Sequence, residues 1–119
     1  MKKKRPDFPS DVKRKVMERS NNRCERCGMD FNEGFTGEFH HIIRPIYGGD
    51  NSINNCTLLC RNCHLVAPDI KDTEEDLLIY KCYFLRFASF KEAAQYYDVD
   101  NKLDLYLKLA QDIAKKKKK

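Results

Sequence analysis

Seven side chains in the middle of this chain have the types and spacing to hold metal ions. Cys24 and Cys27 form one CxxC pair and Cys60 and Cys63 a second, with 32 residues between them. All three histidines fall in the same stretch: His40 and His41 lie between the pairs, and His64 directly follows the second. Zinc prefers four tetrahedral ligands, and each CxxC turn presents two thiolates on one side of a loop. The pairs therefore read as one structural Zn2+ site, which would add on the order of 10 kcal/mol of apparent folding free energy. Four reduced core cysteines would leave the repeated spacing unexplained. Cys56 and Cys82 match no such pair and read as small buried apolar residues.

Regular elements must position these groups. Ser10 is a plausible N-cap for a helix running to Ser20, with Val12, Val16 and Met17 as its apolar stripe and Lys13, Arg14, Lys15 and Arg19 on its wet face. Asn21-Asn22 ends it. Residues 29–39 are irregular and offer Phe31, Phe35 and Phe39 to a core. Phe39–Ile43 reads as a strand, Gly48-Gly49-Asp50-Asn51 as a turn, and Asn55–Leu59 as a short returning strand. Cys60–His64 then opens a helix. Beyond Pro68, Asp72 or Thr73 caps a helix over Glu74–Phe87, followed by helical patterns over Phe90–Tyr97 and Lys102–Lys115.

Taken together, Cys24–Gly28, His40-His41-Ile42-Ile43, Gly48-Gly49-Asp50, Asn55 and Cys60–His64 resemble the HNH family of the ββα-metal nucleases, in the subtype with two CxxC pairs. The resemblance spans roughly residues 12–66. It implies an α+β fold: a small ββα-metal core stapled by a four-cysteine zinc, with flanking N- and C-terminal helices. It also implies site roles. His41 matches the general base that takes a proton from the attacking water, and His40 and His64 match the ligands of one catalytic divalent ion. Asn55 matches the central asparagine, whose side chain ties the loop between the strands; Asn54 is the fallback if the register slips by one.

Those roles make chemical sense. Phosphodiester cleavage needs an oriented nucleophile, stabilisation of added charge and help for the departing 3′ oxygen. A neutral imidazole, with an ordinary pKa of about 6.5, suits the first task. Adjacent strand residues point to opposite faces, so one of His40 and His41 can face a metal while the other faces water. This chain departs from the usual pattern at three positions. His40 stands where many relatives carry Asp, which favours Mn2+, Ni2+ or Co2+ alongside Mg2+. Arg44 takes the usual proline's place, with Pro45 after it, and Cys56 replaces a leucine. Asp69 is a weak candidate for a third ligand.

A chain of 119 residues with net charge +5 suggests one modest core, with basic runs at Lys2–Arg5 and Lys115–Lys119. Such runs suit a polyanion through counterion release, or serve as solvated tails. Lys13, Arg14, Arg44 and Arg61 are candidate phosphate contacts on DNA. No apolar run follows the basic N-terminus, and no stretch approaches the roughly 20 apolar residues of a membrane span, so a cytoplasmic protein without a membrane partner is expected. The expected organisation is a basic flexible arm (1–9), the nuclease core (10–70), a helical extension (71–114) and a basic tail (115–119). The extension reads as packing helices, with Ala93, Ala94, Tyr97, Leu103, Tyr106, Leu107 and Ile113 closing the core or a dimer contact; the alternative is a helix-turn-helix within residues 89–114, its first half Ser89–Val99 and its second helix after Asp100-Asn101. A homodimer or a larger host-defence, phage or mobile-element complex would suit such a module. The rival functions are a non-catalytic zinc-dependent DNA-binding module and a nuclease for structured DNA or RNA.

Overall fold

The structure, a computed structural model, describes residues 7–34 and 36–117. Phe35, residues 1–6 with their basic run Lys2–Arg5, and the last two lysines lie outside them. Two compact units divide at Asp72/Thr73.

The first unit carries the metal-ligating residue types. Helix α1 spans Ser10–Ser20. Its N-cap is Pro9, not Ser10, and the proline ring, which has no acceptor atom, supplies no side-chain cap. Asn21 and Asn22 both adopt left-handed backbone, a conformation asparagine tolerates, and so end the helix. The apolar stripe is narrower than expected: Val16 is buried, whereas Met17 is 40% exposed. A helix turns about 100° per residue, so Met17 is carried off the face shared by Val12 and Val16.

Strands β1 (Glu38–His41) and β2 (Cys56–Leu59) pair antiparallel, with Glu38 opposite Leu59 and His41 opposite Cys56. Both are shorter than the expected strands: β1 begins and ends earlier, and Asn55 belongs to a 3-10 turn, Ile53–Asn55. Every residue of β2 is buried. Helix α2, Arg61–Leu65, follows. The core comprises Phe8, Val16, Phe31, Leu58 and Leu59 together with Cys24, Cys56, Cys60 and Cys63. Phe8 is only 4% exposed, so the expected flexible arm does not extend through Phe8.

The second unit contains α3 (Glu74–Phe84), α4 (Phe90–Tyr97) and α5 (Lys102–Lys117). Thr73 and Ser89 cap α3 and α4 by accepting from Asp76 N and Glu92 N. Leu78, Cys82, Ala93, Leu105 and Leu109 form its core. Leu103 and Leu107 are instead 64% and 51% exposed, so of the two expected placements, core or dimer contact, they do not take the core one. Two residues on a helix turn the side chain by about 200°, so burying Leu105 and Leu109 forces that pair outward. No described helix is long and apolar enough to cross a membrane.

Candidate functional site

The four sulfurs of Cys24, Cys27, Cys60 and Cys63 lie within 4.8 Å of one another. Zinc–sulfur bonds of about 2.3 Å give a tetrahedron with edges of about 3.8 Å. Cys27 Sγ and Cys60 Sγ are 3.7 Å apart, so the cluster fits a zinc ion. Among the described residues, no other group of three or more potential ligands is drawn together as closely. Burial raises the Cys24 thiol, but N–H groups of Cys27, Cys60 and Arg26 outweigh it and bring it to about 7. Burial and the neighbouring Cys60 sulfur push Cys63 up to about 12, against the Arg26 guanidinium at 3.8 Å. The cluster is braced by Glu25, inside the first CxxC turn. Its carboxylate accepts from Arg19 Nε at 2.8 Å and from Thr57 Oγ1 and Leu58 N at 3.0 Å. Arg19 also donates to Cys56 O at 2.8 Å, linking α1, the knuckle and β2.

Strand alternation divides the histidines. His40 shares a face of β1 with Glu38, whereas His41 shares the other with Phe39. The His40 and His64 ring centroids are 5.0 Å apart and the rings are edge to face. An ion bound at about 2.1 Å from a nitrogen lies about 3.2 Å from the ring centre, so two rings at about 100° sit about 5 Å apart. The observed spacing fits a shared ion. Glu38 Oε1 lies 2.5 Å from His64 Nδ1, and accepts a hydrogen bond from it when that nitrogen carries the proton. Glu38, not the weak candidate Asp69, is the carboxylate beside His64; its position two residues before His40 on a strand was the available signal.

His41 lies elsewhere. Its ring stacks on Phe8 at 4.0 Å, and its Nε2 is 2.8 Å from Asn51 Oδ1.

The connection between the strands is tied by Asn55. Its Oδ1 accepts from Ile43 N at 2.7 Å, and its Nδ2 donates to Ile43 O at 3.0 Å and Asp50 O at 2.8 Å. Asn55 is buried and Asn54 exposed, so the fallback register does not apply. Gly48 takes a left-handed φ of 93°. At Gly49 a Cβ would stand 1.7 Å from Ile43 O, so only glycine fits there. The displaced proline is accommodated: Pro45 starts a short 3-10 turn, and Gly49 N donates to Arg44 O at 3.0 Å.

The other expected contacts are less open than their charges suggest. Arg44 pairs with Asp69 at 3.3 Å, which occupies both the candidate phosphate contact and the weak third-ligand candidate. Lys13 pairs with Asp7 at 2.8 Å and lies over the Phe39 ring. Arg14 and Arg61 are exposed.

A two-stranded antiparallel pair leading into a short helix, with a cysteine cluster at its back and histidines on the strand and helix, defines a ββα-metal fold. Residues 24–66 match the family model of the HNH endonucleases. Among characterised proteins, it is similar to the type IV methyl-directed restriction enzyme EcoKMcrA of Escherichia coli (strain K12). The two are 38% identical over 69 residues, covering 54% of this chain. The aligned part is 25% of that relative's length.

Proposed function

We propose that this protein is a metal-dependent endonuclease that hydrolyses DNA phosphodiester bonds, leaving 5′-phosphate and 3′-hydroxyl ends. The observation that carries the reading is the division of the histidines between the two faces of β1. The His40 and His64 ring centroids are 5.0 Å apart, Glu38 lies against His64 Nδ1, and His41 stands on the opposite face of the strand. The similarity to a restriction enzyme supports DNA as the substrate.

His40 and His64 would hold one divalent cation, Mg2+ or its softer counterparts Mn2+, Ni2+ and Co2+. When bound, such an ion stabilises negative charge on the phosphorane and on the leaving 3′ oxygen. Glu38 accepts a hydrogen bond from the Nδ1–H of His64, which leaves Nε2 as the ligating nitrogen and fixes the ring's orientation. His41 takes the proton from the attacking water. Asn55 holds the connection through residues 43 and 50, and so acts on the site through the backbone. Arg14 and Arg61, both exposed, are the better placed phosphate contacts; Lys13 and Arg44 must first exchange an aspartate for phosphate.

The test is nicking of supercoiled plasmid with Mg2+, Mn2+ or Ni2+, comparing wild type, His41→Ala and His64→Ala. Cleavage that falls at least about 100-fold in both variants, with zinc retained, is expected. Undiminished nicking by His41→Ala removes the base assignment. Binding without cleavage under every metal favours the DNA-binding module instead, and preference for branched DNA or RNA redirects the substrate.

A further inference from the structure

We propose that Asn51 is a positioning residue for His41: its amide fixes the imidazole tautomer with the proton on Nε2, leaving Nδ1 as the basic nitrogen. The inference rests on the reading of His41 as the base and names what prepares that ring.

The amide's orientation is set by two contacts. Asn51 Oδ1 lies 2.8 Å from His41 Nε2, and Asn51 Nδ2 donates to the Asp7 carbonyl oxygen at 3.3 Å. Turning the amide over would bring its oxygen against the Asp7 carbonyl, acceptor against acceptor, and leave an NH2 group facing the ring. Oδ1 therefore faces His41 as an acceptor, and the ring nitrogen opposite must carry a hydrogen. A neutral imidazole has one N–H, so placing it at Nε2 leaves the lone pair at Nδ1. Phe8 fixes the ring plane, stacked at 4.0 Å with an interplanar angle of 21°, and is itself 4% exposed in the core. Asn51 is in turn held by its neighbour, since Asp50 O accepts from Asn55 Nδ2 at 2.8 Å. The Asp50 carboxylate accepts from Ser52 N at 3.1 Å. The loop thus links the buried asparagine to the ring through consecutive residues. Without Asn51, the two neutral tautomers of His41 interconvert in water, and part of the population presents its proton, in place of its lone pair, towards the nucleophile.

The experiment records nitrogen-15 ring shifts of His41 in the zinc-loaded full chain. A single alkaline pH keeps the ring neutral, and the signals are assigned by their loss in His41→Ala. Wild type is expected to show widely split ring nitrogens with the proton on Nε2. Asn51→Ala is expected to narrow that splitting and lower the cleavage kcat about 10- to 100-fold with KM little changed. Asn51→Asp keeps an acceptor towards Nε2 but sets its second carboxylate oxygen against the Asp7 carbonyl oxygen, so it is expected to restore the splitting only in part. A wild-type ring protonated on Nδ1, or an unchanged splitting in Asn51→Ala, overturns the inference. Those outcomes are distinct from failure of the base reading, which would appear as continued cleavage by His41→Ala whatever the tautomer.

Discussion

The Asn55 side chain spends both ends of its amide on backbone groups of the connection between β1 and β2. Removing it leaves one buried N–H and two carbonyl oxygens to find other partners. Asn55→Ala is therefore expected to lower stability by about 3 kcal/mol, read by urea unfolding of the zinc-loaded protein. Asn55→Asp keeps the acceptor but turns a carboxylate oxygen towards the Ile43 and Asp50 carbonyls, so it too should be destabilised. An Asp variant as stable as wild type would contradict this network. Asn55 and the three histidines were legible in the sequence because their spacing is fixed by short strands and turns. Glu38 was legible in principle, through the two-residue period of a strand. Asn51 was not, because its contact with His41 depends on the path of a loop that no local pattern encodes.

At the scale of elements, the bracing of the zinc knuckle and the packing of α5 are the two arrangements most open to test. Glu25 lies inside a CxxC turn with its side chain 9% exposed, and ties α1 to β2 through Arg19. Because the Arg19 side chain is 31% exposed, solvent screens the pair, and Glu25→Ala is expected to cost about 2 kcal/mol, mostly through Thr57 and Leu58 losing their acceptor. In α5, Leu105→Ala should cost about 2–5 kcal/mol and Leu107→Ala less than about 1, both read by thermal unfolding. Equal effects would reverse the assigned face. The sequence left that face open, since Leu103/Leu107 and Leu105/Leu109 each repeat every four residues and only packing against α3 and α4 separates them. The strand ends were misjudged because the backbone leaves the ladder as soon as Asn55 begins to cap the connection. The cap of α3 was open between Asp72 and Thr73, and Thr73, before an acidic first turn, takes it.

For the molecule as a whole, metal and salt are the controlling variables. Zinc and protons compete for the same sulfurs, and Cys63, pushed up to about 12, keeps its proton at neutral pH when no metal is bound. Zinc uptake should therefore release protons, and affinity should fall as pH falls, a sign checked by zinc titration in a weakly buffered indicator solution. Chelation should unfold the first unit, whose core includes all four ligands, with loss of its amide signals. DNA binding should weaken with salt, and Arg61→Gln should reduce the slope of log K against log salt by about 0.9 where that residue meets a phosphate.

The most direct measurement is anomalous diffraction from zinc-loaded crystals soaked in Mn2+, recorded on either side of the zinc edge. Zinc signal at the four sulfurs and a separate manganese peak within bonding distance of both His40 and His64, with His41 outside its coordination shell, is the expected result. Manganese absent from those two rings, or bound to His41 in place of either, would contradict the division of labour on which the proposed hydrolysis depends.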